Sequence, residues 1–109
     1  MVLTTPVLSQ YKINRVVIDA GHGGKDPGAL GAHVREKDIA LALALKTGNY
    51  IEKYIPDVEV IYTRMTDEFV ELHKRAKIAN DSKADLFISI HCNASKSTAA
   101  SGTETYVMG

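Results

Sequence analysis

Residues 16–28 read Val16-Val17-Ile18-Asp19-Ala20-Gly21-His22-Gly23-Gly24-Lys25-Asp26-Pro27-Gly28, and this stretch decides the fold. A β-branched apolar run that stops at glycines and an Asp-Pro-Gly turn has the pattern of a buried strand ending abruptly. It delivers one imidazole, His22, just past its carboxyl end. A second apolar run, Leu86-Phe87-Ile88-Ser89-Ile90, is followed by His91. In an open parallel sheet, right-handed crossovers keep the carboxyl ends of all strands on one edge, so the two histidines are expected to meet there.

Working outward, Arg15 to Ala20 forms the first strand, and Met1 to Asn14 before it reads as a lead-in with no clear period. Gly21 to Arg35 is a loop with five glycines, long for a compact domain and of the kind that carries function. From Glu36 the pattern is ambiguous, because Ile39, Leu41, Leu43 and Leu45 alternate like a strand. Length and composition decide for a helix. Ala, Leu, Lys and Glu favour it, Glu36 and Asp38 complement the amino end of the macrodipole, and Tyr50, Ile51, Tyr54 and Ile55 return at helical spacing. Pro56 ends it. Val58 to Thr63 is a second strand. Thr66-Asp67 then offers a cap for a second helix whose inward face would be Val70, Leu72, Ala76 and Ala79, ending near Asn80 to Ser82. Asp85 to His91 is the third and most apolar strand, Asn93 to Gly102 a surface loop, and Thr103 to Met108 the start of a fourth strand.

Strands alternating with helices give an α/β fold: a mixed, largely parallel sheet flanked by helices. We divide the chain into a lead-in, 1–14, and one domain, 15–109, that ends at Gly109 with its sheet unfinished. An open sheet edge of this kind invites dimerisation or strand exchange.

Thirteen basic residues balance thirteen acidic ones, so no net field recruits nucleic acid or an acidic membrane surface. Binding must come from a local site. One cysteine, Cys92, excludes an internal disulfide framework. The given chain shows no signal peptide and no membrane-spanning run. A phosphate-binding reading of the glycine loop fails on spacing, since Asp19 and Asp26 occupy positions where the P-loop pattern needs Gly and Ser or Thr.

Two imidazoles and one carboxylate, with water in the fourth position, make a recurring catalytic zinc set. His22 and His91 supply the first two, and Glu36 and Asp38 compete to be the third. Cys92 follows His91 on a strand end, where adjacent side chains point to opposite faces, so it reads as a small core residue. His33 and His73 read as solvated.

Several motifs carry a family likeness: Ile18 to Ala29, Glu36-Lys37-Asp38-Ile39, Thr63-Arg64 with Thr66-Asp67, Arg75 with Ala79-Asn80, Ser89 to Ala94, and Gly102-Thr103-Glu104. In this order they resemble the zinc-dependent N-acetylmuramoyl-L-alanine amidases of the amidase-3 family of cell-wall hydrolases. The resemblance implies that His22, Glu36 and His91 bind Zn2+, favouring Glu36 over Asp38. It implies peptidoglycan as substrate, cleaved between N-acetylmuramic acid and the L-alanine of the stem peptide, and a periplasmic or cell-surface location. The family's further catalytic glutamate has no match before Gly109, and Glu104 is the one motif-associated acid that could stand in. Asn93 and Arg64 are candidates to support the metal ligands from behind or to contact substrate, a turn amide and a surface ion pair being the plain alternatives. The competing functional class is a non-catalytic module, derived from an amidase core, that binds metal or glycan strands without turnover.

Overall fold

The computed structural model describes residues 12–93 and 102–107. Three strands, β1 (Arg15–Ala20), β2 (Glu59–Tyr62) and β3 (Leu86–Ile90), alternate with two helices, α1 (Glu36–Tyr54) and α2 (Leu72–Asp81). The strand order is β2-β1-β3, with both pairings parallel. The expected α/β architecture is present, and all strand pairing among the described residues is parallel.

β1 is central because its sequence is apolar on both faces. Val16, Ile18 and Ala20 point to one face and pack with Ala40 and Ala44 of α1, joined by Ile88 and Ile90 of β3. Val17, fully buried, and Asp19 point to the other face, where α2 places Arg75. The two helices therefore cover opposite faces. The chain leaves β1 toward β2, then crosses back over β1 to reach β3. The reversal makes the carboxyl ends of β1 and β3 a topological switch point, the position where open α/β sheets bind ligands.

α1 begins without a side-chain cap. Carbonyls of the preceding loop take that role: Glu36 N–H donates to Ala29 O at 2.9 Å and Lys37 N–H to Pro27 O at 3.0 Å. The glycine-rich loop is thus folded onto the helix it leads into. At the other end, Gly48 lets Tyr62 of β2 lie against the helix, because a β-carbon there would stand 1.7 Å from the Tyr62 hydroxyl.

Three expectations are corrected. Thr66-Asp67 does not cap α2, which starts six residues after Thr66; Asp67 instead accepts hydrogen bonds from Gly24 N–H and Lys37 Nζ, both at 2.8 Å, fastening the glycine loop to α1. The inward residue of α2 is Arg75, whereas Leu72 is 83% exposed and Ala76 is exposed. The surface it meets is Asp19 and a row of strand-end carbonyls, which an apolar stripe would leave unpaired. Residues 103–107 form no strand, and Met108 lies outside the described residues. Among the described residues β3 is accordingly an edge strand, with Leu86 and Phe87 exposed despite its apolar sequence. The lead-in expectation, 1–14, lies outside the described residues except at 12–14, and the loop expectation, Asn93 to Gly102, lies outside them except at its two ends.

Candidate metal centre

The site is assembled from the ends of β1 and β3 and the first residue of α1. His22 follows β1 in the left-handed region, with φ 62°, a conformation that costs a non-glycine residue and persists only when its surroundings fix it. Arg75 supplies part of that fixation. Its guanidinium donates to His22 O and Ala20 O, both at 2.6 Å, and pairs with Asp19 at 2.7 Å. Arg64 supplies the rest, donating to Ala20 O at 3.0 Å, Gly21 O at 2.8 Å and Lys37 O at 3.0 Å. Two buried arginines hold the backbone that carries His22.

Glu36 is only 5% exposed and sits between the two imidazoles. Its Oε1 lies 3.0 Å from His22 Nε2 and 3.1 Å from His91 Nδ1. The rings meet edge to face, with centroids 5.0 Å apart at 85°. Burial alone would raise the Glu36 pKa. Hydrogen bonds from Ala29 N–H at 2.8 Å and Cys92 N–H at 2.9 Å, together with the imidazoles, outweigh it and hold the carboxyl below its ordinary value. Glu36 is therefore a carboxylate at neutral pH.

One donor atom from each of His22, Glu36 and His91 lies within 4.8 Å of the others. Donors at 2.0–2.2 Å from a tetrahedral ion stand roughly 3.5 Å apart, so the arrangement fits a single divalent cation. Glycine makes this convergence sterically possible. A β-carbon at Gly21 would stand 2.4 Å from His91 Cε1, and one at Gly28 would stand 2.6 Å from both Glu36 Oε2 and His22 Cδ2. The cluster opens into a cleft of about 300 Å3 lined by His22, Asp26, Phe69, Val70, Leu72 and His91, with Arg75 behind.

The other sequence candidates lie elsewhere. Asp38 is exposed and pairs with Arg35 at 2.7 Å, so the acid within the cluster is Glu36. Arg64 is 2% exposed, with its donors on main-chain carbonyls. It is neither a surface ion pair nor available to a substrate, because the loops around β1 close over it. Asn93 is exposed and donates to Glu104 at 3.3 Å; Glu104 also accepts from the Tyr106 hydroxyl and stands apart from the three-donor cluster. Cys92 is partly buried, and burial followed by the nearby Glu36 charge pushes its thiol pKa up. His33 and His73 are exposed. Lys25 stacks over Phe69, 4.5 Å from the ring centroid.

Sequence reading missed two residues. Asp26, read only as part of a turn, lies 2.8 Å from His22 Nδ1; its position four residues after His22 was the available signal. Asp19, read as a strand residue, anchors a buried network with Thr63, Arg75 and Ser89, each at 2.7 Å. A lone acid inside a β-branched run was the sign of it.

The fold and cluster together define an α/β domain with a three-donor, cation-sized site at the switch point of a parallel sheet. The family described as N-acetylmuramoyl-L-alanine amidase matches residues 16–109. An endolysin of Bacillus phage SPP1 is 46% identical over 91 residues, covering 84% of this chain and 32% of that protein. A sporulation-specific N-acetylmuramoyl-L-alanine amidase of Bacillus subtilis is 38% identical over 93 residues, covering 85% and 35%. Among solved structures, the catalytic domain of the amidase CwlV from Bacillus (Paenibacillus) polymyxa var. colistinus superposes with a TM-score of 0.76 at 47% identity, covering 81% of this chain and 50% of that one. An N-acetylmuramoyl-L-alanine amidase from Clostridium difficile 630 gives 0.75 at 38% identity, covering 82% and 48%. The chain belongs to the amidase-3 family of N-acetylmuramoyl-L-alanine amidases. It spans about a third of the length of the two curated relatives above.

Proposed function

We propose that this chain forms the amino-terminal part of a zinc-dependent amidase that hydrolyses the bond between N-acetylmuramic acid and L-alanine in peptidoglycan. The observation that carries the reading is the convergence of His22 Nε2, Glu36 Oε1 and His91 Nδ1 at the switch point of a family-typical sheet. These three residues would hold Zn2+. Zinc bound there would supply Lewis acidity toward the scissile carbonyl and hydroxide near neutral pH, by lowering the pKa of its water to about 7.

The chain's own residues hold and orient. Glu36 contributes the negative charge and is fixed by two backbone N–H groups. Arg75 and Arg64 fix the main chain on either side of His22. Phe69 and Leu72 give the cleft an apolar wall against which the lactyl and alanyl methyl groups of a substrate could pack. The proton-accepting carboxylate is expected in the remainder of the domain, since Glu104 is exposed and engaged with Asn93 and Tyr106. Asn93, beside the His91 strand end, remains a proposed substrate contact.

Among the described residues no helix is long and apolar enough to cross a membrane. The substrate class lies outside the cytoplasmic membrane, so we assign the mature protein to the periplasm or cell surface. Strand exchange through the β3 edge has nothing to support it beyond the edge itself.

A second reading is a metal- or glycan-binding module without turnover, which would use the same three-donor cluster. Release of stem peptide from muropeptides, measured for this chain alone and joined to the remainder of an amidase-3 domain, separates the two. Zinc-dependent release by the joined form supports the amidase. No release with zinc in place supports the binder.

A further inference from the structure

Asp26 holds the second ring nitrogen of His22. Its Oδ2 lies 2.8 Å from Nδ1, while Nε2 on the opposite side of the ring lies 3.0 Å from Glu36 Oε1. Asp26 is itself fixed, for its Oδ1 accepts the Gly28 N–H at 3.1 Å and its main chain exchanges two hydrogen bonds with Gly23, at 2.8 and 3.0 Å. A neutral imidazole carries one ring proton, and where Nδ1–H donates to a carboxylate the lone pair is left on Nε2. We propose that Asp26 is a positioning residue, locking His22 with its proton on Nδ1 and its Nε2 lone pair aimed at the ion shared with Glu36 and His91. The inference rests on reading the cluster as a metal site. A carboxylate behind a ligating histidine also raises its basicity, and loss of such a partner lowers metal affinity about 10- to 100-fold.

The test is zinc affinity of the wild type, D26N and D26A, by competition with a chromophoric chelator, with circular dichroism as the check on folding. Asparagine keeps one oxygen, which can serve the Gly28 N–H, but removes the charge and puts an NH2 donor where Asp26 Oδ2 accepts from His22; alanine removes both acceptors and the charge. The expected result is zinc binding by the wild type, about tenfold weaker binding by D26N and up to about 100-fold weaker by D26A, with helix content preserved in D26N. In the zinc-loaded wild type, NMR should find the His22 ring proton on Nδ1. A role for Asp26 confined to holding the Gly28 turn, which the asparagine oxygen preserves, predicts that D26N binds zinc like the wild type, and that result overturns the proposal. So does a zinc-loaded His22 with its proton on Nε2. A wild type that takes up no zinc fails at an earlier step, bringing down the metal reading and the proposal together.

Discussion

Two charged clusters occupy the same edge of the sheet, and they differ in how their charges are answered. On one face Asp19 and Arg75, each 4% exposed, are enclosed by Thr63, Ser89 and the carbonyls of Val70, Ala20 and His22. At the end of the strand, Glu36 is equally buried, but its neighbours His22 and His91 are partly open to the cleft and direct two nitrogens at one oxygen. Asp19 with Arg75 is a closed clamp that holds the backbone in place. Glu36 with its imidazoles has the geometry of a ligand set, and the clamp beneath it is what keeps the histidine backbone still.

The contrast is broken most directly at the open cluster. Replacing His22 or His91 by Ala should lower zinc affinity by orders of magnitude while leaving the melting temperature of the metal-free protein near that of the wild type; unchanged zinc content by elemental analysis would remove the distinction. The reverse signature is expected beneath it. Arg75→Met leaves Asp19 buried without its counter-charge, and should destabilise the fold by about 3–5 kcal/mol in urea unfolding. Less than 1 kcal/mol would show that the clamp is not structural.

Gly21→Ala probes the seam between the two regions. Its methyl group would meet the His91 ring at 2.4 Å, so a loss of about 1–3 kcal/mol is expected together with weaker zinc binding, since the ring must move. A variant matching the wild type in both would show that the ring has another place to lie.

Acid sharpens the same comparison. Burial raises the Asp19 pKa, but hydrogen bonds from Ser89, Thr63 and Arg75 and the Arg75 charge more than offset it, leaving the native value below the ordinary 3.8. The clamp therefore contributes stability above that pH. The contribution falls away as pH drops from about 3.8 through the lower native value. Unfolding free energy against pH should decline in that window for the wild type and less for D19N. Smallest of all is Asp38→Asn, which breaks an exposed pair with Arg35 and should change stability by under about 1 kcal/mol and zinc affinity not at all. Glu36→Gln at the neighbouring motif position should weaken zinc strongly. The opposite ranking would mean that the ligating acid had been misassigned.

Much of this was legible in the sequence because it depends on local pattern. The β-branched run at Val16 to Ile18, the glycines after it and Pro56 behind a helical composition fixed β1, its loop and the end of α1 within a residue or two. The meeting of His22 with His91 followed from parallel topology alone. What the sequence hid was polar and non-local. Arg75 in an amphipathic pattern looks like a surface residue until Asp19 and three carbonyls are seen facing it. Arg64 looks solvated until the loops are seen wrapped around it. Leu72 looks like core, because hydropathy cannot distinguish a residue lining a cleft from one inside it. The buried arginines are the part of the site that pattern reading is least able to supply, since all but one of their partners are main-chain oxygens with no sequence signature.

The most direct measurement is an anomalous-scattering map at the zinc edge, from crystals of the metal-loaded protein. One peak is expected, about 2.0–2.2 Å from His22 Nε2, Glu36 Oε1 and His91 Nδ1 together. A map with no peak there, or with zinc bound away from this trio, would contradict it.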